Sequence, residues 1–471
     1  MIRLIVLFLA SAFASSACVP TKPAENGRGS GGKNEGGGDD GDDDGEGKQG
    51  GSNAFASHTV MVIDDGFDAT HDVFEGKVDA SYRLVCEEPA DEETSGKSDD
   101  ELAQDLIESY KESKSTCEIK KGIAFEAGSD LQAVTGKRSS WNAAITSKKD
   151  PGSDQAVAEA LSGAASGKNY HGTNVAGVIA YDNPDTRLVF LQIELKKPGE
   201  ATVDDADDCP KQSDIDKWVR LHKRDDVREA YVNSSLDPTT KYLYKIALDH
   251  DVTLVNMSFS TPPRTVLEDM YVDSGCERID MSAQYVLEGE LDEEREARRY
   301  ASGVYDETRH ILGITAAGNN SKRIDSRRDS TLCSDDESSA VVGSYDLDGQ
   351  QSEFSNSGDC VDYYLLGSQV ITAAPLGFLN VVDGTSFSAP MLARYLSLNE
   401  SPSAGAAKLK KKLHSMRDTK KFLPQDFYPE EIAFESSQKI NSFALQEQPQ
   451  RPGPPRRLPP SYRHALGRFG R

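Results

Sequence analysis

Four short, unbroken apolar runs constrain the fold of this chain more than any other feature. They are Thr59–Ile63, Leu188–Leu191, Val252–Val255 and Ile311–Ile314. Each is too short for a buried helix and reads as a strand covered on both faces. Helical patterns at Lys241 to His250 and Glu293 to His310 stand just before two of these runs. Strand, helix, strand alternation predicts an α/β domain with a doubly wound parallel sheet and helices on both faces. In such sheets the chemistry collects at the carboxyl ends of the strands.

The rest of the 471 residues is organised around that core. Residues 1–17 read as a signal peptide: a basic start at Arg3, an apolar run from Leu4 to Ala14, then small residues through Ala17. The run is too short to span a bilayer. Cys18 follows at once and resembles the lipidated cysteine of bacterial lipoproteins, although Ser15 stands where an aliphatic residue is usual. Residues 18–55 read as a Gly/Asp-rich tether that cannot bury apolar surface. Residues 56–440 read as one folded domain, and 441–471 as an extended Pro/Arg-rich tail. Two polar stretches look inserted into the domain. One is Lys77 to Gly167; the other is Lys196 to Ser235 together with Thr261 to Glu293.

Charge and cysteine content narrow the function. Lys plus Arg is 53 and Asp plus Glu is 78, a net charge of −25. Such a surface repels nucleic acid, which demands clustered cations. Beyond Cys18 stand Cys86, Cys117, Cys209, Cys276, Cys333 and Cys360, an even set that fits three disulfides in an exported protein. Their spacing lacks the paired pattern of a zinc site, and the acidic tether lacks the spacing of a calcium loop. No cofactor is expected; structural calcium is not evident.

Four motifs carry the chemistry. In Val62-Ile63-Asp64-Asp65-Gly66 a carboxylate closes a buried strand. In His171-Gly172-Thr173-Asn174-Val175-Ala176-Gly177 an imidazole opens a helix whose small residues permit close packing. Ile314-Thr315-Ala316-Ala317-Gly318-Asn319 ends a strand in a carboxamide. Gly384-Thr385-Ser386-Phe387-Ser388-Ala389-Pro390 sets a hydroxyl at a helix N-terminus, beside backbone N–H groups that favour negative charge. Singly, each is ordinary turn or cap chemistry. Together they supply a nucleophile, a base, an orienting carboxylate and oxyanion donors.

In these motifs, and in the order Asp, His, Ser, the chain resembles the subtilisin-like serine peptidase family. The resemblance runs from about His58 to about Leu413. It implies that Asp64 orients the imidazole, His171 is general base and then acid, and Ser386 is the nucleophile. The Asn319 amide and the Ser386 N–H would bind the oxyanion. It also implies that Val255–Phe259 pairs with extended substrate. Ser258, Phe259 and Ser260 would wall a pocket facing Ala316, Ala317 and Gly318. Relatives usually carry Gly where Ser260 stands. Asp65 resembles the second acid of the kexin branch, which contacts a basic substrate residue. Phe354-Ser355-Asn356-Ser357-Gly358 matches a further family segment. A tether rather than a folded propeptide precedes Asp64, so self-cleaving activation is not implied.

The expectation is therefore a secreted or lipid-anchored serine endopeptidase, monomeric, acting on polypeptides through an acyl-enzyme. It would face the periplasm or the cell exterior. Two rivals are a catalytically silent binding module on the same fold and an esterase or amidase using the same triad.

Overall fold

The structure, a computed structural model, describes the chain from His58 to Met416 with breaks, the longest at 88–96, 197–208 and 302–310. The signal peptide, Cys18, the tether, the 441–471 tail and Ser260 lie outside the described residues.

In chain order the elements are β1 (Thr59–Asp64), β2 (Val78–Glu87), α1 (Asp99–Glu112), β3 (Cys117–Lys121), α2 (Ser129–Val134), α3 (Arg138–Thr146), α4 (Gln155–Gly167), α5 (His171–Ala180) and β4 (Arg187–Lys196). Next come α6 (Gln212–His222), α7 (Asp225–Asn233), α8 (Pro238–Asp249), β5 (Val252–Met257), α9 (Arg264–Asp273), α10 (Ser282–Ala301) and β6 (Leu312–Ala316). The last are β7 (Ser339–Tyr345), β8 (Tyr363–Leu366), β9 (Val370–Ala374), β10 (Phe378–Val382), α11 (Thr385–Asn399) and α12 (Ala406–Met416).

Eight strands form one sheet in the order β3-β2-β4-β1-β5-β6-β7-β8. Every neighbouring pair is parallel except β2 with β3. The chain enters at β1, passes to β2 and the edge strand β3, returns to β4 between β2 and β1, then crosses to β5 and continues the other way through β6, β7 and β8. Strand order therefore reverses at β1, which makes its carboxyl end the topological switch point. β1 shows why the apolar runs are unbroken. Val60 and Val62 join one core, while Met61 and Ile63 join the core on the opposite face. The first core packs α5 and α11 against the sheet; the second packs α8. All four apolar runs are strands, as expected. The helix expected over Glu293 to His310 instead spans Ser282–Ala301, and 302–310 are not described.

The polar stretches are also more structured than their sequence suggests. Lys77 to Gly167 is not all insertion, because β2 pairs with β4 in the main sheet. The helices of the two stretches share their packing. Leu102 and Ile107 of α1 meet Leu221 of α6 and Val227 of α7. Val219 and Val232 in turn meet Leu287 and Leu291 of α10. A disulfide joins Cys209 to Cys276, and a second joins Cys333 to Cys360.

A separate hairpin, β9–β10, leads directly into α11. One edge of β10 is held by side chains of α3. Trp141 Nε1 donates to the Leu379 carbonyl at 2.8 Å. Asn142 donates to the Gly377 carbonyl at 2.7 Å and accepts from Leu379 N at 2.8 Å. Among the described residues no helix is long and apolar enough to cross a membrane.

Candidate active site

Asp64 is the last residue of β1, 4% exposed, at the switch point. Its Oδ1 accepts from the Asp65 N–H at 2.8 Å. It also lies 2.8 Å from His171 Nδ1, with Oδ2 at 3.1 Å. Both oxygens of the Asp64 carboxylate face Nδ1 and keep a proton there, which leaves Nε2 of the neutral ring as an acceptor.

His171 reaches Asp64 because it opens α5 and because Gly172 follows it. A Cβ on Gly172 would fall 2.5 Å from the Gly66 carbonyl and 2.8 Å from the Phe67 ring. Only glycine lets the first turn of α5 sit this close to the turn after Asp64. Farther along the helix, a Cβ on Gly177 would lie 2.5 Å from Thr372 Oγ1 and 2.7 Å from Ala373 Cβ, so α5 also presses on β9.

Ser386 is the second residue of α11. Gly384 caps that helix at φ 150°, a conformation that favours glycine. The Phe387 ring sits 5.7 Å from the His171 ring, so the two helix starts adjoin. The Ser386 hydroxyl donates to the Ser258 carbonyl at 2.8 Å. Among the described hydrogen bonds none joins Ser386 to His171. The Ser258 hydroxyl donates back to the Ser386 carbonyl at 2.7 Å. Pro390 explains that second bond. In an unbroken helix the N–H of residue 390 would serve the Ser386 carbonyl, and proline has none. Asn256 Nδ2 in turn donates to Ser258 Oγ at 2.9 Å.

Asn319 follows Gly318, which has φ 98°. Its Oδ1 accepts from Thr385 N at 2.9 Å and Thr385 Oγ1 at 2.8 Å. Two donors on Oδ1 fix the orientation of the amide. Nδ2 then lies over Gly384, 3.2 Å from where a Cβ there would stand. It faces the start of α11 that carries Ser386. Thr385 and Asn256 hold the site but were not singled out from sequence. Thr385 sits inside the Gly384–Pro390 motif, and its polar side chain before Ser386 was the available signal.

The expected pocket walls lie on adjacent strand ends. β5 and β6 are paired with Met257 opposite Thr315, which brings Ser258 and Phe259 alongside Ala316, Ala317 and Gly318. Ser258, Ala316 and Ala317 are buried and uncharged.

Desolvation penalises a charged His171, but the charge and hydrogen bond of Asp64, with the charge of Asp65, outweigh it and push the imidazole up to about 9. Desolvation and the adjoining Asp64 charge push Asp65 up to about 6. Asp64, Asp65 and His171 also bring three potential ligand atoms within 4.8 Å of one another, the one such grouping among the described residues. His171 and Asp64 are already bonded to each other, so this cluster is built to hold a proton.

Residues 56–420 match the model of the peptidase S8, or subtilase, family. No curated protein matches the sequence. Among solved structures, a cold adapted subtilisin-like serine proteinase is 18% identical, with 79% of this chain and 87% of that chain covered and a TM-score of 0.36. A lanthipeptide protease is 15% identical, covering 78% and 81%, with a TM-score of 0.37. The PatG macrocyclase domain is 14% identical, covering 78% and 83%, with a TM-score of 0.36.

Proposed function

This chain belongs to the subtilase family of serine peptidases, and from that premise we propose that it is an exported endopeptidase that cleaves polypeptides through an acyl-enzyme on Ser386. The observation that carries the proposal is the meeting of Asp64, His171, Ser386 and Asn319 at the carboxyl ends of β1 and β6 and the starts of α5 and α11.

The chemistry follows from the residues. The Ser386 oxygen attacks the scissile carbonyl while its proton passes to His171 Nε2. Asp64 holds Nδ1–H and offsets the imidazolium charge. The developing oxyanion is met by Asn319 Nδ2 and the Ser386 N–H, both fixed before substrate arrives. His171 then returns the proton to the departing amine, and water repeats the sequence on the ester. An extended substrate lies along Ser258 and Phe259. Its side chain enters the uncharged pocket facing Ala316, Ala317 and Gly318.

A fluorophosphonate probe and unfolded casein test this reading on the purified protein. Labelling and cleavage by the wild type, with neither in Ser386→Ala, are expected. Ester hydrolysis without casein cleavage would favour the esterase reading. A folded wild type that resists the probe would favour a silent module. The Ser386–Ser258 hydrogen bond is the feature that gives the silent reading weight.

Export and anchoring belong to the same proposal. The apolar N-terminal run directs the chain across a membrane, and Cys18 takes the lipid. Radiolabelled palmitate should enter the wild type and not Cys18→Ser. Equal labelling of both would remove the anchor.

A further inference from the structure

We infer that Asn356 is a positioning residue for Asn319, holding the loop that carries the oxyanion donor. The inference rests on the peptidase reading above and assigns to that site a residue whose side chain bonds to Ala317, Asn320 and Lys322 rather than to Asn319 itself.

Asn356 is fully buried in the segment after β7. Its Oδ1 accepts from Lys322 N at 2.9 Å and Asn320 N at 3.2 Å. Its Nδ2 donates to the Ala317 carbonyl at 2.8 Å. Its backbone N–H donates to the Gly318 carbonyl at 2.9 Å. One residue therefore grips the chain on both sides of Asn319, whose own side chain is anchored at the opposite end by Thr385.

The grip is needed because the loop has no regular ladder of its own. It passes through Gly318 at φ 98° and Ser321 at φ 55°. A non-glycine residue in that region is disfavoured unless neighbours hold it. Ser321 N donates to the Phe354 carbonyl at 2.9 Å and Ser321 Oγ to the Glu353 carbonyl at 2.6 Å. Thus 353–356 acts as a splint along the loop. A carboxamide is suited to this place because it carries an acceptor and a donor on one rigid plane. Aspartate would keep the acceptor, lose the donor, and bring a charge against the Ala317 carbonyl. Alanine would lose all three side-chain bonds.

Oxyanion stabilisation depends on donor placement, and displacement by about 1 Å costs on the order of 10²-fold. Asn356→Ala and Asn356→Asp should lower kcat roughly 10- to 100-fold on a peptide substrate, with KM changed less than about threefold. In an Asn319→Ala background the same substitutions should cost less than about threefold, because the group being positioned is gone. An equal loss in both backgrounds, a loss confined to KM, or no loss would overturn the inference.

A measurement on the unmutated protein covers the case in which neither variant folds. In hydrogen exchange the Asn320 and Lys322 amides should be protected to the level of β6. Exchange at the rate of an open loop would overturn the role of Asn356. An inactive wild type would instead remove the peptidase reading and this inference with it, whereas an active wild type indifferent to Asn356 removes this inference alone.

Discussion

Ser386 and Ser258 hold each other: each hydroxyl donates to the other's carbonyl, at 2.8 and 2.7 Å. The consequence lies in where Ser258 sits, at the end of the strand that would pair with substrate. A substrate N–H delivered to the Ser258 carbonyl competes with the Ser386 hydroxyl. Once displaced, that hydroxyl is free to turn to His171 Nε2. Substrate binding would thus complete the catalytic hydrogen bond, as apo sites often require. A peptidyl phosphonate should therefore inactivate faster than its analogue methylated on the N–H next to the warhead. One hydrogen bond is worth about 1 kcal/mol, so about a fivefold difference is expected in the limiting rate of inactivation. Equal limiting rates, with only affinity changed, would refute the coupling.

Acid–base behaviour should report Asp65. His171 acts as a base only when neutral, and it is pushed up to about 9. The value of kcat/KM should rise with pH toward that point. Asp65 contributes to the upward push, so Asp65→Asn should move the acid limb to lower pH and raise kcat/KM at pH 7.5. The linked effect on stability has a definite sign. A folded pKa above the unfolded value of 6.5 stabilises fully below about 6.5, and that contribution is lost as pH rises through about 9. Profiles of kcat/KM and thermal melting, measured on both proteins, check the two statements. An unmoved acid limb in Asp65→Asn would show that its charge does not reach the imidazole.

The sheet and the four motifs were legible because their signals are local. Thr59–Ile63 is apolar on both faces, and parallel strands buried on both sides must be. The Gly after His171 marks a close approach that a side chain would block, and the Gly before Thr385 a backbone conformation that favours glycine. What stayed hidden was set by distant partners. β2 is Val-Asp-Ala-Ser-Tyr-Arg-Leu-Val-Cys-Glu, whose polar residues disguise a strand held in place by β4. The helix Ser282–Ala301 is charged over its last turns, so its apolar start near Tyr285 and Leu287 was not joined to them. Asn356 stood in a quoted segment, yet its role lies in bonds to Ala317, Asn320 and Lys322 across the sheet's edge. The Ser386–Ser258 bond could not be read either, since it depends on a rotamer and on two segments far apart in sequence.

The two close-packed glycines of α5 should fail differently. Gly177→Ala presses on Thr372 and Ala373 of β9, far from the reacting atoms. Overpacking of this kind costs about 1–3 kcal/mol, so melting should fall by several degrees with kcat nearly intact. Gly172→Ala presses on the Gly66 carbonyl and displaces the helix start itself. There the His171–Asp64 geometry moves, and kcat should fall by at least about tenfold. Melting curves and steady-state kinetics on both variants separate the two. A Gly172→Ala protein with wild-type kcat would show that α5 can shift without moving the imidazole.

The cysteines offer a test that needs no activity. Cys209–Cys276 ties 209 to the segment after α9, and Cys333–Cys360 closes the loop between β6 and the segment before β8. Cys86 and Cys117 stand opposite each other in the antiparallel register of β2 and β3. Neighbouring positions on paired antiparallel strands bring Cα atoms within about 4.5–5.5 Å, inside the span a disulfide bridges. In an exported chain these two should therefore form the third bond, which leaves Cys18 as the unpaired cysteine for lipid. Mass spectrometry of an unreduced digest should find peptides linked 86 to 117, 209 to 276 and 333 to 360. A free thiol at Cys86 or Cys117 in protein recovered from outside the cytoplasm would contradict the third pair. A disulfide at Cys18 would contradict the anchor as well, because a cysteine cannot be both cross-linked and acylated on the same sulfur.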